Sequence, residues 1–517
     1  MTLADRAAEL FLVGFPGTEP DPVIASLISE GGLAGVILFG RNMTGPEQVR
    51  TLTGRLQSLS PDLPLLIATD QEGGVVTRVS TPWPGAMTLG ASGDTDLAQQ
   101  VALAAGLELR AQGINLNLAP VVDVNSNPAN PVIGVRSFGE NPESVARFGA
   151  ATIAGLHGAG VLAASKHFPG LGDTATNSFS SLAEVRHDRG RLDSVELVPF
   201  RAAIAAGVDA VMATHVALPA VEPDGLPASI SHRILTGLLR RDLGFQGLIL
   251  TDCLEVRSIT EWVGTSEAAV RALEAGADLL LVSHTPRVQL AAIDAVQEAI
   301  ASGRIPAERV VEALERVRAA RLRLAGGPAA PDLSVVGCKE HLDLTQRAAR
   351  QAVTAVGDLE QLCPVKAGQT VLIAVDPDPL VGVEEREPVG SPVMTAMGEL
   401  APTMRRMGIR RQPTAAELLR AIEYTAGSDL VLVATYCAQL FPAQADLVRL
   451  LRRSGRRVVV IAQRGPYDLL VTPGITGAVV MYEDRLLTAR AAVRFLLGLS
   501  PAPGVMPATL SIMPSHS

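Results

Sequence analysis

Four stretches of the chain carry residues that could do chemistry. TDQEGG, residues 69–74, sets Asp70 and Glu72 just before two glycines, with Arg78 four residues beyond Gly74. A carboxylate pair beside a glycine turn suits close approach of a polar ligand; the plainer alternative is a turn with an ion-paired helix start. NPANPVIGVRSFGENP, residues 127–142, is a Pro- and Asn-rich loop holding Arg136, longer than a simple connection needs. KHFPGLGDTATNSFSSL, residues 166–182, opens on Lys166 and His167 and then offers Leu171, Asn177 and Phe179, none of which titrates. LTDCLEV, residues 250–256, places Asp252 after an apolar run. A lone carboxylate there is a nucleophile, a metal ligand or a helix cap, and capping is the commonest role. Lys166, also following an apolar run, admits Schiff-base chemistry.

These groups need elements that bring them together. Residues 34–39, 65–69, 114–118, 161–164, 210–213, 248–251 and 279–282 are short apolar runs, and Ala/Leu/Arg-rich helical stretches separate them. Strands alternating with helices predict a parallel sheet with crossovers. Seven such units favour a closed (β/α)8 barrel of the TIM type over an open sheet, with one strand still to be found. Asp70, Asp123, Arg136, Lys166, His167, His215, Asp252 and His284 all come shortly after a run. In a barrel, those positions converge on the C-terminal face, where chemistry sits.

GGPAAPDLSVVGCKEHL reads as a linker, which divides the chain into residues 1–325, a linker at 326–344 and a second unit at 345–517. The second unit has apolar runs at 371–375, 430–433, 458–461 and 478–481 with helical stretches between them. That pattern predicts a smaller α/β sandwich domain with a mostly parallel sheet.

The 517 residues are too many for one ordinary domain, and 47% of them are apolar. A net charge of −9 argues against nucleic acid or an anionic membrane as partner. No apolar stretch reaches the roughly 18 to 20 residues that span a bilayer. The N-terminus, MTLADRAAELFLVGFPG, carries acidic residues where a signal peptide needs basic ones. The four cysteines match no zinc or CxxC spacing and read as free thiols in a reducing compartment. A cytoplasmic protein is expected, and oligomeric state is not readable.

GGLAGVILFGRN, TDQEGGVVTR, NLNLAPVVDVNSNPANPVIGVRSFG, KHFPGLGDT and GFQGLILTDCLEV, in this order, resemble glycoside hydrolase family 3 and in particular its β-N-acetylglucosaminidase branch. The resemblance covers roughly residues 8 to 320. It implies a retaining, exo-acting β-glycosidase that cleaves terminal amino sugars from cell-wall or chitin fragments, a small carbohydrate partner, and no metal or cofactor. By the resemblance Asp252 is the catalytic nucleophile, and Asp70, Arg78, Arg136, Lys166 and His167 hold the hydroxyls of the terminal sugar. A carboxylate attacks the anomeric carbon and water cleaves the glycosyl-enzyme.

The sequence departs from the branch where the proton must come from. The branch carries its acid/base histidine and a supporting aspartate in an Asp-Ser-His triplet; here the triplet is Asn177-Ser178-Phe179. Leu171 stands where KHFPGHG has its second His, and Val75 where Arg is usual. Two readings follow. Another carboxyl substitutes, with Glu384, Glu385 and Glu387 as candidates and Asp173, His187 and Asp188 as nearer ones. Alternatively the chain is a catalytically impaired, sugar-binding protein that keeps the clamp.

Overall fold

The computed structural model describes residues 2–177, 181–357, 359, 362–380, 382–384 and 390–510. Eight parallel strands form the first sheet: Phe11–Val13 (β1), Gly35–Leu38 (β2), Leu66–Thr69 (β3), Leu116–Asn117 (β4), Leu162–Phe168 (β5), Ala210–Ala213 (β6), Leu248–Thr251 (β7) and Leu280–Val282 (β8). The order is β8-β1-β2-β3-β4-β5-β6-β7. A bridge between Leu250 and Leu279 closes the ring, with Thr251 N donating to Leu279 O at 3.1 Å. This is the expected (β/α)8 barrel.

The strand absent from the sequence reading is β1. It is only three residues long and directly follows the helical turn Ala4–Leu10. Its residues pair with both β8 and β2, and all three are fully buried. Along the barrel, alternate residues face two different cores. Leu248 and Leu250 point inward with Leu66, Leu116, Leu162 and Met212, while Ile249 points outward to the surrounding helices. Strands buried on both faces read as continuous apolar runs, which is why seven of them were visible.

The helix Ala307–Ala325 ends the barrel, and the helix Lys339–Ala352 begins inside the stretch read as a linker. The second sheet comprises Thr354–Gly357 (β9), Thr370–Val375 (β10), Arg405–Ile409 (β11), Leu430–Thr435 (β12), Arg457–Ala462 (β13) and Gly477–Val480 (β14). Its order is β9-β14-β13-β12-β10-β11, parallel except for β9. Leu372, Leu432, Val459 and Ile461 face one layer of helices. Ile373, Val433, Val458 and Val460 face the other side, where Val75, Val76, Met87 and Val135 of the barrel join the same core. The expected α/β sandwich is therefore seated on the loops at the barrel mouth. Among the described residues no helix is long and apolar enough to cross a membrane.

Candidate active site

The loop after β3 is folded back on itself by Gln71. Its side-chain carbonyl accepts from Arg78 N at 2.8 Å and Val79 N at 3.2 Å, while Asn117 of β4 bonds both the N–H and the carbonyl of Gln71. Gly73 and Gly74 have φ of +87° and +57°. A Cβ on Gly73 would stand 2.3 Å from the Pro84 carbonyl, so the tight turn after Glu72 requires glycine. Asp70 thereby lines the cavity at the mouth, while Glu72 is buried against Arg136 and Lys166.

β5 delivers the cations. Neighbouring strand residues normally face opposite sides. Here the pairing of β5 with β6 shifts register between Lys166 and Phe168, and both Lys166 and His167 line the cavity. Lys166 Nζ lies 2.7 Å from both Asp70 Oδ1 and Glu72 Oε1. Arg136, from the long Pro/Asn loop, grips Glu72 through Nε at 2.9 Å and a second guanidinium nitrogen at 2.8 Å. Arg136 also reaches His167 Nε2 at 3.3 Å. A guanidinium only donates, so Nε2 accepts; the ring proton sits on Nδ1 and is given to Asp123 at 2.7 Å. The other oxygen of Asp123 accepts from Leu171 N at 2.7 Å, which ties the KHFPGLG turn to the same carboxylate. That turn lies so close to the preceding segment that a Cβ on Gly172 would meet the Val124 carbonyl at 1.9 Å.

Asp252 follows β7 and is half-buried. Its backbone N–H donates to Ala213 O at 2.8 Å, and its Oδ1 accepts from Cys253 N at 2.7 Å, which fixes the carboxylate plane. His215 supports this turn: Nε2 donates to Cys253 O at 3.0 Å, and Ser229 bonds Nδ1 at 2.7 Å. Burial pushes the basicity of His215 down, against the pull of the Asp252 charge, so the ring serves as a neutral strut.

Asp70, Arg78, Arg136, Lys166, His167, Asn177 and Asp252 all line one cavity of about 440 Å³. Leu380, Gly382 and Val383 of the second unit wall it on one side. Burial drives the Glu72 carboxyl up, but Arg136 and Lys166 outweigh it and hold it well below the usual carboxylate range. Burial lowers Lys166, yet Asp70 and Glu72 more than restore it, so its pKa is raised. An ammonium held this way is no amine nucleophile, which removes the Schiff-base alternative. What remains is a set of charged groups suited to gripping hydroxyls, with a carboxylate among them.

Two residues that the sequence marked only as polar groups after a strand, with no role in the site, prove to organise the clamp. Glu72 is the hub between Arg136 and Lys166, and Asp123 orients His167. Buried cations require buried anions, so a search for partners of Lys166 and Arg136 would have found Glu72. Leu380 and Val383 carry no sequence signal of this kind.

The departures also have places. Leu171 is 1% exposed and packs in the barrel core, and Val75 lies in the apolar seam beneath the second sheet. Asn177 lines the cavity; Phe179 lies outside the described residues. Of the candidate substitute acids, Glu385 and Glu387 also lie outside them. Glu384 is buried, with both oxygens held by Arg464 at 2.6 and 3.2 Å, and is not placed to give up a proton. Asp173 and His187 bond each other at 2.6 Å without lining the cavity, and Asp188 caps the helix Arg189–Ser194.

Residues 2–320 match the model of the glycosyl hydrolase family 3 N terminal domain. The chain is 35% identical over 388 residues to Beta-hexosaminidase A of Pseudoalteromonas piscicida, covering 69% of this chain and 64% of that protein. It is 37% identical over 297 residues to a Beta-hexosaminidase of Stenotrophomonas maltophilia, covering 56% of this chain and 87% of that one. The solved structure of a glycoside hydrolase family 3 beta-N-acetylglucosaminidase from a Paenibacillus species superposes with a TM-score of 0.92 at 40% identity, covering 99% of each chain. The barrel, its mouth and these likenesses agree: the chain belongs to glycosyl hydrolase family 3.

Proposed function

We propose that the protein is a retaining, exo-acting β-N-acetylglucosaminidase-type hydrolase with Asp252 as nucleophile. One observation carries the reading: Asp252 opens into the same cavity as Asp70, Arg78, Arg136, Lys166 and His167. Bonds from ionised groups to sugar hydroxyls are roughly twice as strong as neutral ones, so such a clamp fixes a terminal sugar with its anomeric carbon before the carboxylate. The relatives named as hexosaminidases support the amino sugar. A cytoplasmic setting belongs to the proposal, supported by four free cysteines.

Proton delivery is the weak half of this site. Among the described cavity-lining groups, Asp70 is bonded to Lys166 and His167 lies between Arg136 and Asp123. His284 has its Nδ1 3.3 Å from the Arg41 guanidinium. These contacts, with Asn177 at the mouth, favour a second reading: a sugar-binding protein of low turnover. General acid–base help is worth about 10² to 10⁴-fold, and its loss falls on poor leaving groups.

The test compares an aryl β-N-acetylglucosaminide bearing a very good leaving group with the methyl glycoside and the corresponding β-glucosides. Asp252→Ala is the control. Turnover of the aryl substrate alone, abolished by Asp252→Ala, establishes a working nucleophile with an impaired acid. Turnover of both glycosides reveals a substitute acid. Turnover of none, the β-glucosides included, overturns the hydrolase reading and leaves the binding one.

A further inference from the structure

Glu384 belongs to an acidic stretch, DPDPLVGVEEREPVG, that reads as solvated surface, yet its carboxylate is 1% exposed. Arg464, which holds both its oxygens, is itself buried and also donates to the Tyr436 hydroxyl at 3.1 Å. That hydroxyl donates in turn to the Asp378 carbonyl at 2.7 Å. The loop after β10 is thus tied down at Asp378 and again at Glu384. Between the two ties, Leu380, Gly382 and Val383 face the cavity, and the Val383 carbonyl accepts from Arg78 at 2.7 Å.

A buried ion pair is a poor way to gain stability, because apolar side chains of the same volume do as well or better. Its directional bonds are useful for holding a backbone in place. An arginine in the clamp needs such a backing. Arg78 has a long side chain with large rotamer freedom, and the loop that carries it faces an open mouth.

We infer that Glu384, Arg464 and Tyr436 form a positioning device that sets the Val383 carbonyl and, through it, the guanidinium of Arg78 in the sugar clamp. The second unit thereby acts on sugar affinity. Glu384 is a positioning residue and supplies no proton. The inference rests on the reading of this cavity as the sugar site.

Two variants loosen the device by different means. Glu384→Gln keeps the shape and removes the charge. Tyr436→Phe removes one hydroxyl. Each is measured in the full chain for KM with the activated aryl β-N-acetylglucosaminide and for Kd with N-acetylglucosamine by calorimetry, alone and combined with Arg78→Met. The expected result is a rise in KM and Kd of about tenfold, the size of one lost charge-assisted bond, with kcat changed less than about twofold. In the Arg78→Met background the rise should vanish, because the two residues act through one contact. Should Glu384→Gln fail to fold, Tyr436→Phe carries the test. Unchanged KM and Kd in a wild type that turns over or binds sugar, or effects additive with Arg78→Met, overturn the inference alone. A wild type that neither hydrolyses the aryl substrate nor binds the sugar overturns the inference together with the sugar-site reading.

Discussion

Glu72 and Arg136 meet in a buried bidentate pair, 64 residues apart in sequence, with oxygen–nitrogen distances of 2.8 and 2.9 Å. The pair joins the loop after β3 to the loop after β4, and Lys166 brings in β5. Two barrel loops and the strand β5 are thus cross-linked through one carboxylate. Removing that charge leaves two buried cations with too little countercharge, and losing one partner of a buried pair typically costs about 3–5 kcal/mol. Glu72→Gln should lower the unfolding temperature and also abolish sugar binding; differential scanning calorimetry and sugar titration check both.

The same carboxylate sets an acid limit. Its folded pKa lies below the ordinary value of 4.5, so its contribution to stability is present above about pH 4.5 and is lost as pH falls towards the folded value. Wild-type stability should therefore fall below pH 4.5, and Glu72→Gln should show a shallower fall over that range in pH-dependent thermal melts.

Glu483 behaves in the opposite sense. It is 2% exposed, donated to by Thr88 at 3.2 Å, and burial pushes its carboxyl up to about 7, with Arg485 opposing and Asp484 adding to the rise. The folded state then holds a proton that the unfolded state releases above pH 4.5. Between pH 4.5 and about 7 stability is lost as pH rises, and the cost persists above that range. Glu483→Gln should be near neutral at pH 5 and stabilising by a few kcal/mol, on the order of the linkage term, at pH 8. Equal shifts at the two pH values would contradict this assignment.

Asp252→Gly should remove hydrolysis and open room for a small anion on the face the carboxylate occupied. With added azide and the activated aryl substrate, the product should be the α-glycosyl azide, read by NMR. A β-azide would place the nucleophile elsewhere.

If the missing acid is what limits turnover, restoring it should show. The double variant Asn177→Asp, Phe179→His is expected to speed hydrolysis of the methyl glycoside by about 10²-fold or more, towards the range general acid catalysis supplies, and to leave the activated aryl substrate little changed. Product release assays on both substrates decide it.

The barrel was legible because its strands are buried on both faces and therefore apolar throughout, as in LIAT of β3 or LILT of β7. β1 hid because three residues are too few to show a period. β11 hid for another reason: RRMGI is an edge strand with exposed Arg405, and edges carry charge. Asp252, Lys166 and His167 were visible because each comes straight after an apolar run, although β5 itself continues through Lys166 and His167 to Phe168. Val383 was not, because it enters through a backbone carbonyl, and any residue type has one. Glu384 was read as a candidate acid since nothing local announces Arg464, 80 residues later.

The apolar seam described above has a bearing on how this protein can be taken apart. Val75, Val76, Met87 and Val135 of the barrel share a core with the second sheet. A barrel cut free at residue 325 would present these side chains to water around the mouth of its own active site. Truncation at residue 325 should therefore yield a sticky barrel whose cavity has lost the wall made by Leu380, Gly382 and Val383.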